Sequence, residues 1–102
     1  MKKILFISLL LLLFSCKKEE ECEKDNISYI DINNADNESY YMYVDEVYKQ
    51  IILGNTYLND YEVSAGYHKF TFKEIEWIFV QDVYETDGNY NQCDHKSIVF
   101  GN

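Results

Sequence analysis

The 102-residue chain has no arginine and no proline, and only four glycines, three cysteines and two histidines. Each shortage removes a class of chemistry. Arginine is the side chain that grips phosphates and base edges with a planar fork. Here nine lysines face eighteen carboxylates, for a net charge of −9. A surface of that sign repels a phosphate backbone, so nucleic acid is excluded as a partner. Glycines scattered singly do not build a phosphate-cradling loop. Ser28, Ser39, Ser64 and Ser97 lack the Gly-flanked elbow that exposes a hydrolase nucleophile. Carboxylates are so numerous that no pair stands out as a glycosidase dyad. The residues point to no enzyme, no cofactor and no metal.

A long apolar run is missing too. Residues 4–14 are apolar apart from Ser8, which as a helix covers about 16 Å, half of a hydrocarbon core about 30 Å thick. Met1-Lys2-Lys3 precedes the run and Lys17-Lys18-Glu19-Glu20-Glu21 follows it. A basic start, a short apolar stretch and a polar continuation read as a cleaved signal peptide rather than a membrane span.

The residues closing that stretch, Leu13-Phe14-Ser15-Cys16, resemble a bacterial lipobox. Phe14 is bulkier than the usual occupant of its position, while the small residue and the cysteine are in place. The resemblance implies that the Cys16 thiol receives diacylglycerol, that the peptide is cut before it and that the new amine is acylated. Each buried methylene adds about 0.8 kcal/mol of membrane affinity, so two or three chains on one residue suffice for stable attachment. The run behind Cys16 is similar to the lipoprotein export signal of Bacteroidota, which implies an outer-membrane lipoprotein displayed on the cell surface. If the run is only a solvated tether, the periplasmic face is the alternative. The expected organisation is a signal peptide over 1–15, lipidated Cys16 with a charged tether over 16–26, and one domain over 27–102.

With Cys16 lipidated, Cys22 and Cys93 are left. An even pair in an exported chain reads as a disulfide. Closing a loop of about 70 residues restricts the unfolded chain by about 4 kcal/mol in the entropy model, which matters for a small, thin core. Two unpaired thiols are the alternative. A metal corner at Cys93-Asp94-His95 is the weakest option, because zinc needs three or four ligands and no close cysteine pair is present.

The chain is rich in aromatics, with ten tyrosines, six phenylalanines and one tryptophan. Together with Ile and Val these favour strands and argue against disorder. Short apolar or alternating runs cover residues 27–32, 40–44, 47–53, 56–63, 67–75, 77–84 and 96–100, with polar turns between them. Asp45-Glu46 reads as a two-residue hairpin turn, and residues 86–91 as a polar loop. A helix is least unfavourable around 74–84, although Ile, Trp, Val and Phe there favour strand. The expected fold is all-β, a small antiparallel β-sandwich of about seven short strands.

Tyr43-Val44-Asp45, Tyr48-Lys49 and the stretch from Tyr61 through Ser64-Ala65-Gly66-Tyr67-His68 to Phe72 resemble a PEGA-type module. Glu46 stands where that family has a turn glycine, and Ser64-Ala65 where it often has proline. The resemblance implies a small Ig-like sandwich that carries no catalytic residues.

Among the candidate site residues, His68 alternates with Phe70 and Phe72 and reads as a packed histidine at the core boundary. Residues 31–38 are rich in oxygen ligands but lack the spacing of a calcium loop, so a solvated turn is expected. The tyrosines are too many for so small a core. Tyr41, Tyr43 and Trp77 are candidate stacking platforms for a glycan or contact points for a protein, with cross-strand pairing as the plainer explanation. The expectation is a non-catalytic envelope lipoprotein that meets the membrane through Cys16 and engages an envelope protein or, alternatively, a glycan.

Overall fold

In the computed structural model, residues 21–101 are described. Cys16, the expected signal segment 1–15 and the first tether residues 17–20 lie outside them. A single helical turn over residues 21–25 leads into the domain. Seven strands follow: β1 (Ile27–Asn34), β2 (Tyr40–Val44), β3 (Val47–Ile52), β4 (Tyr57–Ser64), β5 (Gly66–Glu74), β6 (Val83–Tyr90) and β7 (His95–Phe100).

The strands form two layers, one of three in the order β4-β1-β7 and one of four in the order β3-β2-β5-β6. The architecture is the all-β sandwich that the period-two pattern implies. Burial alternates strictly along β1 and β2, so successive side chains go to the core and then to the surface. One pairing departs from a purely antiparallel sandwich: β7 lies parallel to β1. Parallel neighbours need a crossover, and the chain between β1 and β7 supplies it, passing through the second sheet and returning to the first over 91–94.

Two boundaries differ from the sequence reading. Residues 77–82 are a loop, so the strand expected over 77–84 begins only at Val83. Residues 86–90, expected as polar loop, belong to β6, where they pair with β5 from Gly66 to Phe70. The polar residues of β6 alternate outward along an edge strand, and sheet pairing overrides their low strand propensity.

The core lies between the sheets. Ile30, Ile32, Val63 and Phe100 come from the first layer, and Tyr40, Met42, Val44, Ile52, Phe70, Phe72 and Tyr90 from the second. Phe72 and Phe100 stack across the interface with centroids 4.0 Å apart, and Tyr40 meets Phe100 edge-on at 5.1 Å.

The β2–β3 hairpin shows how the chain manages without a turn glycine. Asp45 and Glu46 both have positive φ, 53° and 70°, the backbone of a type I′ turn. The conformation costs about 1–2 kcal/mol for each residue with a side chain. Compensation comes from β5: the Lys69 amide donates to Asp45 Oδ1 at 2.9 Å, and the Asp45 amide donates to the Lys69 carbonyl at 2.8 Å. The first of these bonds, with His68 beside it, holds the Asp45 carboxyl below the usual range.

The sandwich has two distinct ends. At the near end, where the chain enters, β1, β3, β5 and β7 begin and β2, β4 and β6 finish. At the far end lie the links over 35–39, 53–56 and 75–82. Cys22 is bonded to Cys93 at the near end, with Cα atoms 5.3 Å apart. The Cys93 amide donates to the Ile27 carbonyl at 2.9 Å, and the Gln92 side-chain amide donates to the Glu23 carbonyl at 2.5 Å. Cys22 is buried, so the helical turn is fastened to the body of the domain rather than trailing from it.

Candidate functional site

The far end is built around Asn34, the fully buried last residue of β1. Its side-chain amide donates to the Glu38 carbonyl at 2.8 Å and the Leu53 carbonyl at 3.1 Å, while its Oδ1 accepts from the Asp36 amide at 2.9 Å. One side chain therefore joins two links. Tyr40 Oη donates to Asp36 Oδ2 at 2.7 Å, which lowers the Asp36 pKa and, with burial as the larger cause, raises that of Tyr40. A Cβ at Gly54 would collide with the Asn37 carbonyl, so only glycine permits that approach of the 53–56 turn. Within residues 31–38, the stretch rich in oxygen ligands, Asn34 and Asp36 engage their side-chain oxygens in these internal bonds.

The third link rises from this base. Glu74, the last residue of β5, is buried. Its amide donates to the Asp82 carbonyl at 3.0 Å, and its carbonyl accepts from the Gln81 side chain at 2.8 Å. The Ile75 amide donates to the Ser39 carbonyl at 3.0 Å. The two stems are thus closed, and the chain between them stands out into solvent. Trp77 is 51% exposed, Ile78 87%, Phe79 93% and Val80 76%. Glu38, Glu74, Glu76 and Asp82 line the hollow beneath this loop.

Four consecutive large apolar residues in water are not what stability selects. Scattered exposed apolar residues are ordinary, but a contiguous exposed run marks an interaction site. The loop was the feature least visible in the sequence, where its β-branched and aromatic residues read as a strand. One signal was present: the run is apolar at every position, so a strand would put apolar groups on both faces. In a two-layer antiparallel sandwich only one face is covered.

The sequence-derived candidates separate into different places. Tyr41 and Tyr43 share the outer face of the four-stranded sheet with Tyr48, which meets each of them edge-on at 5.9 Å. The Lys73 ammonium sits 4.9 Å from the Tyr43 ring centroid, a cation–π contact that occupies one ring face. Both tyrosines are half-buried, which favours cross-strand pairing over an open stacking platform. Trp77 belongs to the far-end loop, and among the described residues no ring contact joins it to either tyrosine. His68 is half-buried at the core edge. Its Nδ1 lies 2.6 Å from Asp45 Oδ2, its Nε2 lies 2.6 Å from the Ser64 carbonyl, and its ring tilts against Tyr90 at 6.2 Å.

A separate polar group occupies the outer face of the three-stranded sheet. His95 Nε2 lies 3.0 Å from Asp31 Oδ1 and 3.2 Å from Asp60 Oδ1. A bulge in β4 opposite Asp31 brings the two carboxylates together: Asp60 takes a positive φ of 57°, and its amide donates to Asp31 Oδ1 at 2.9 Å. The hydrogen bond that His95 donates to Asp31 raises the His95 pKa, and His95 with the Asp60 amide lowers that of Asp31. The three residues are the described group that could approach a metal ion. Ion pairing already accounts for them, and they offer three donors, two of them exposed, rather than a closed four-ligand set. Cys93, with its sulfur bonded to Cys22, supplies no thiolate to a metal corner at 93–95.

No family model, curated protein or solved structure matches the chain. The far-end loop therefore stands on its own geometry.

Proposed function

We propose that this protein is a lipid-anchored envelope lipoprotein, without catalytic activity, that holds out a protein-binding end. The anchor rests on the lipobox-like sequence at Cys16, and surface display on the Lys-Lys-Glu-Glu-Glu run behind it. The likeness of residues 40–72 to PEGA-type modules agrees with a binding or display role. The observation that carries the reading is the exposed loop over 77–80, at the end of the sandwich opposite the tether. A domain fastened near its anchor and apolar at its far end is arranged to meet something beyond the membrane it is attached to.

A glycan gains less from this geometry. Sugar recognition combines an aromatic face with polar groups that bond the hydroxyls, and Ile78, Phe79 and Val80 have no side-chain polar atoms.

The test is photocrosslinking in intact cells, with a photoreactive amino acid replacing Phe79 or, as a control, Asn91 at the near end. The expected result is a discrete, reproducible adduct from position 79 alone. No adduct from 79, or the same adducts from both positions, overturns the docking role.

A further inference from the structure

Resting on that reading, we infer that the partner is a protein with an apolar slot framed by lysine or arginine. The apolar loop does not stand alone: the exposed carboxylates of Glu38, Glu76 and Asp82 line its base, together with the buried Glu74. No lysine lies between residues 74 and 82. The tip is apolar and the collar is acidic, so the complementary surface is a greasy slot with a cationic rim. Apolar anchors at the centre supply most of the affinity of such a contact. The rim charges add steering and discrimination against wrong partners.

The same collar disfavours the other occupants of an apolar loop. Interfacial membrane anchors set Trp or Phe beside Lys and Arg, which meet lipid phosphates. Here the neighbours are carboxylates, which an anionic bilayer surface repels. The loop also lies opposite the end through which the chain is tethered. A second copy of the chain would bring an identical collar against this one, on molecules that are each strongly acidic. Like charges facing across an apolar contact cost affinity.

Trp77 is the only tryptophan and sits in the loop, so its emission reports the occupant directly. The experiment uses the full-length lipoprotein in vesicles of zwitterionic phosphatidylcholine. The probes are three peptides that share one leucine–phenylalanine core, flanked by lysines, serines or glutamates. The lysine-flanked peptide should shift Trp77 emission to the blue and bind at least about tenfold tighter than the glutamate-flanked one. Added salt should narrow that gap.

Two variants separate the loop from the general acidity of the chain. Ile78→Ser with Phe79→Ser leaves the charge unchanged and should abolish the emission shift. Glu38→Gln with Glu76→Gln should retain binding and erase most of the preference for lysine. Equal affinity for the three peptides, or binding unaffected by the loop variant, overturns the inference. Quenching of Trp77 by brominated phosphatidylglycerol shows a lipid occupant and also overturns it. So does a sedimenting dimer that the loop variant dissolves. An adduct from position 79 in cells without lysine preference removes the charge inference alone, whereas the lack of any adduct removes the docking role beneath it.

Discussion

Cys22 is bonded to Cys93 at the point where the chain enters the sandwich, and Cys93 lies in the link that carries the chain from one sheet to the other. The bond therefore ties the start of the domain to the junction of its two layers. A pull along the tether is received by both sheets rather than by β1 alone. The far end, with Asn34 bonding across two links, is organised separately, and the two ends are joined by a core of eleven buried side chains.

Removing the disulfide should weaken the domain without changing its fold. Cys22→Ala with Cys93→Ala frees a loop of 71 residues and should cost about 2–4 kcal/mol in urea unfolding. Reduction of the native chain should lower the midpoint in the same direction. An unchanged midpoint in both would show that the bond adds nothing to stability.

Two phenylalanines at opposite extremes of burial should respond in opposite ways. Phe72 is 1% exposed and stacked on Phe100, so Phe72→Ala should destabilise by about 3–5 kcal/mol. Phe79 is fully in water, so Phe79→Ser should stay within about 0.5 kcal/mol of the native chain. A large loss from Phe79→Ser would mean that the loop is packed, and its availability for docking would fall with it.

The pair of Asp31 and His95 gives a pH signature. Because the folded His95 pKa is raised, its stabilising contribution is fully present below the ordinary imidazole value of about 6.5 and is lost as pH rises through the raised value. Asp31 is lowered, so its contribution is present above the ordinary carboxylate value of about 3.9 and is lost as pH falls through the lowered one. An NMR titration of the His95 ring should give a midpoint above the ordinary value. Asp31→Asn should bring it down, with Asp60 at 3.2 Å retaining part of the effect. A midpoint that does not move would dissolve the pairing.

Much of the fold was legible in residue order. The strands over 27–32 and 40–44 were read from their residue types, the alternation in 67–75 places Phe70 and Phe72 in the core although Thr71 between them is covered as well, and Asp45-Glu46 marks its hairpin even without glycine. The parallel pairing of β1 with β7 was not legible, because it joins strands that five others separate in sequence. The run from Trp77 to Val80 misled for a physical reason: composition measures what residues favour when covered, and these four are exposed. The hydrogen bonds that close the loop at Glu74, Gln81 and Asp82 are long-range choices with no local signature. Polar β6 misled in the converse way, since an edge strand needs partners on one side only.

The account depends most on the anchor, because the tether decides which end of the sandwich faces outward. The direct measurement is metabolic labelling of cells with an alkyne-bearing fatty acid, comparing the native chain with Cys16→Ala. The native chain should take up label, remain with the outer-membrane fraction and lose both properties on substitution. Equal labelling and unchanged fractionation of Cys16→Ala would contradict the claim that this chain is a lipoprotein.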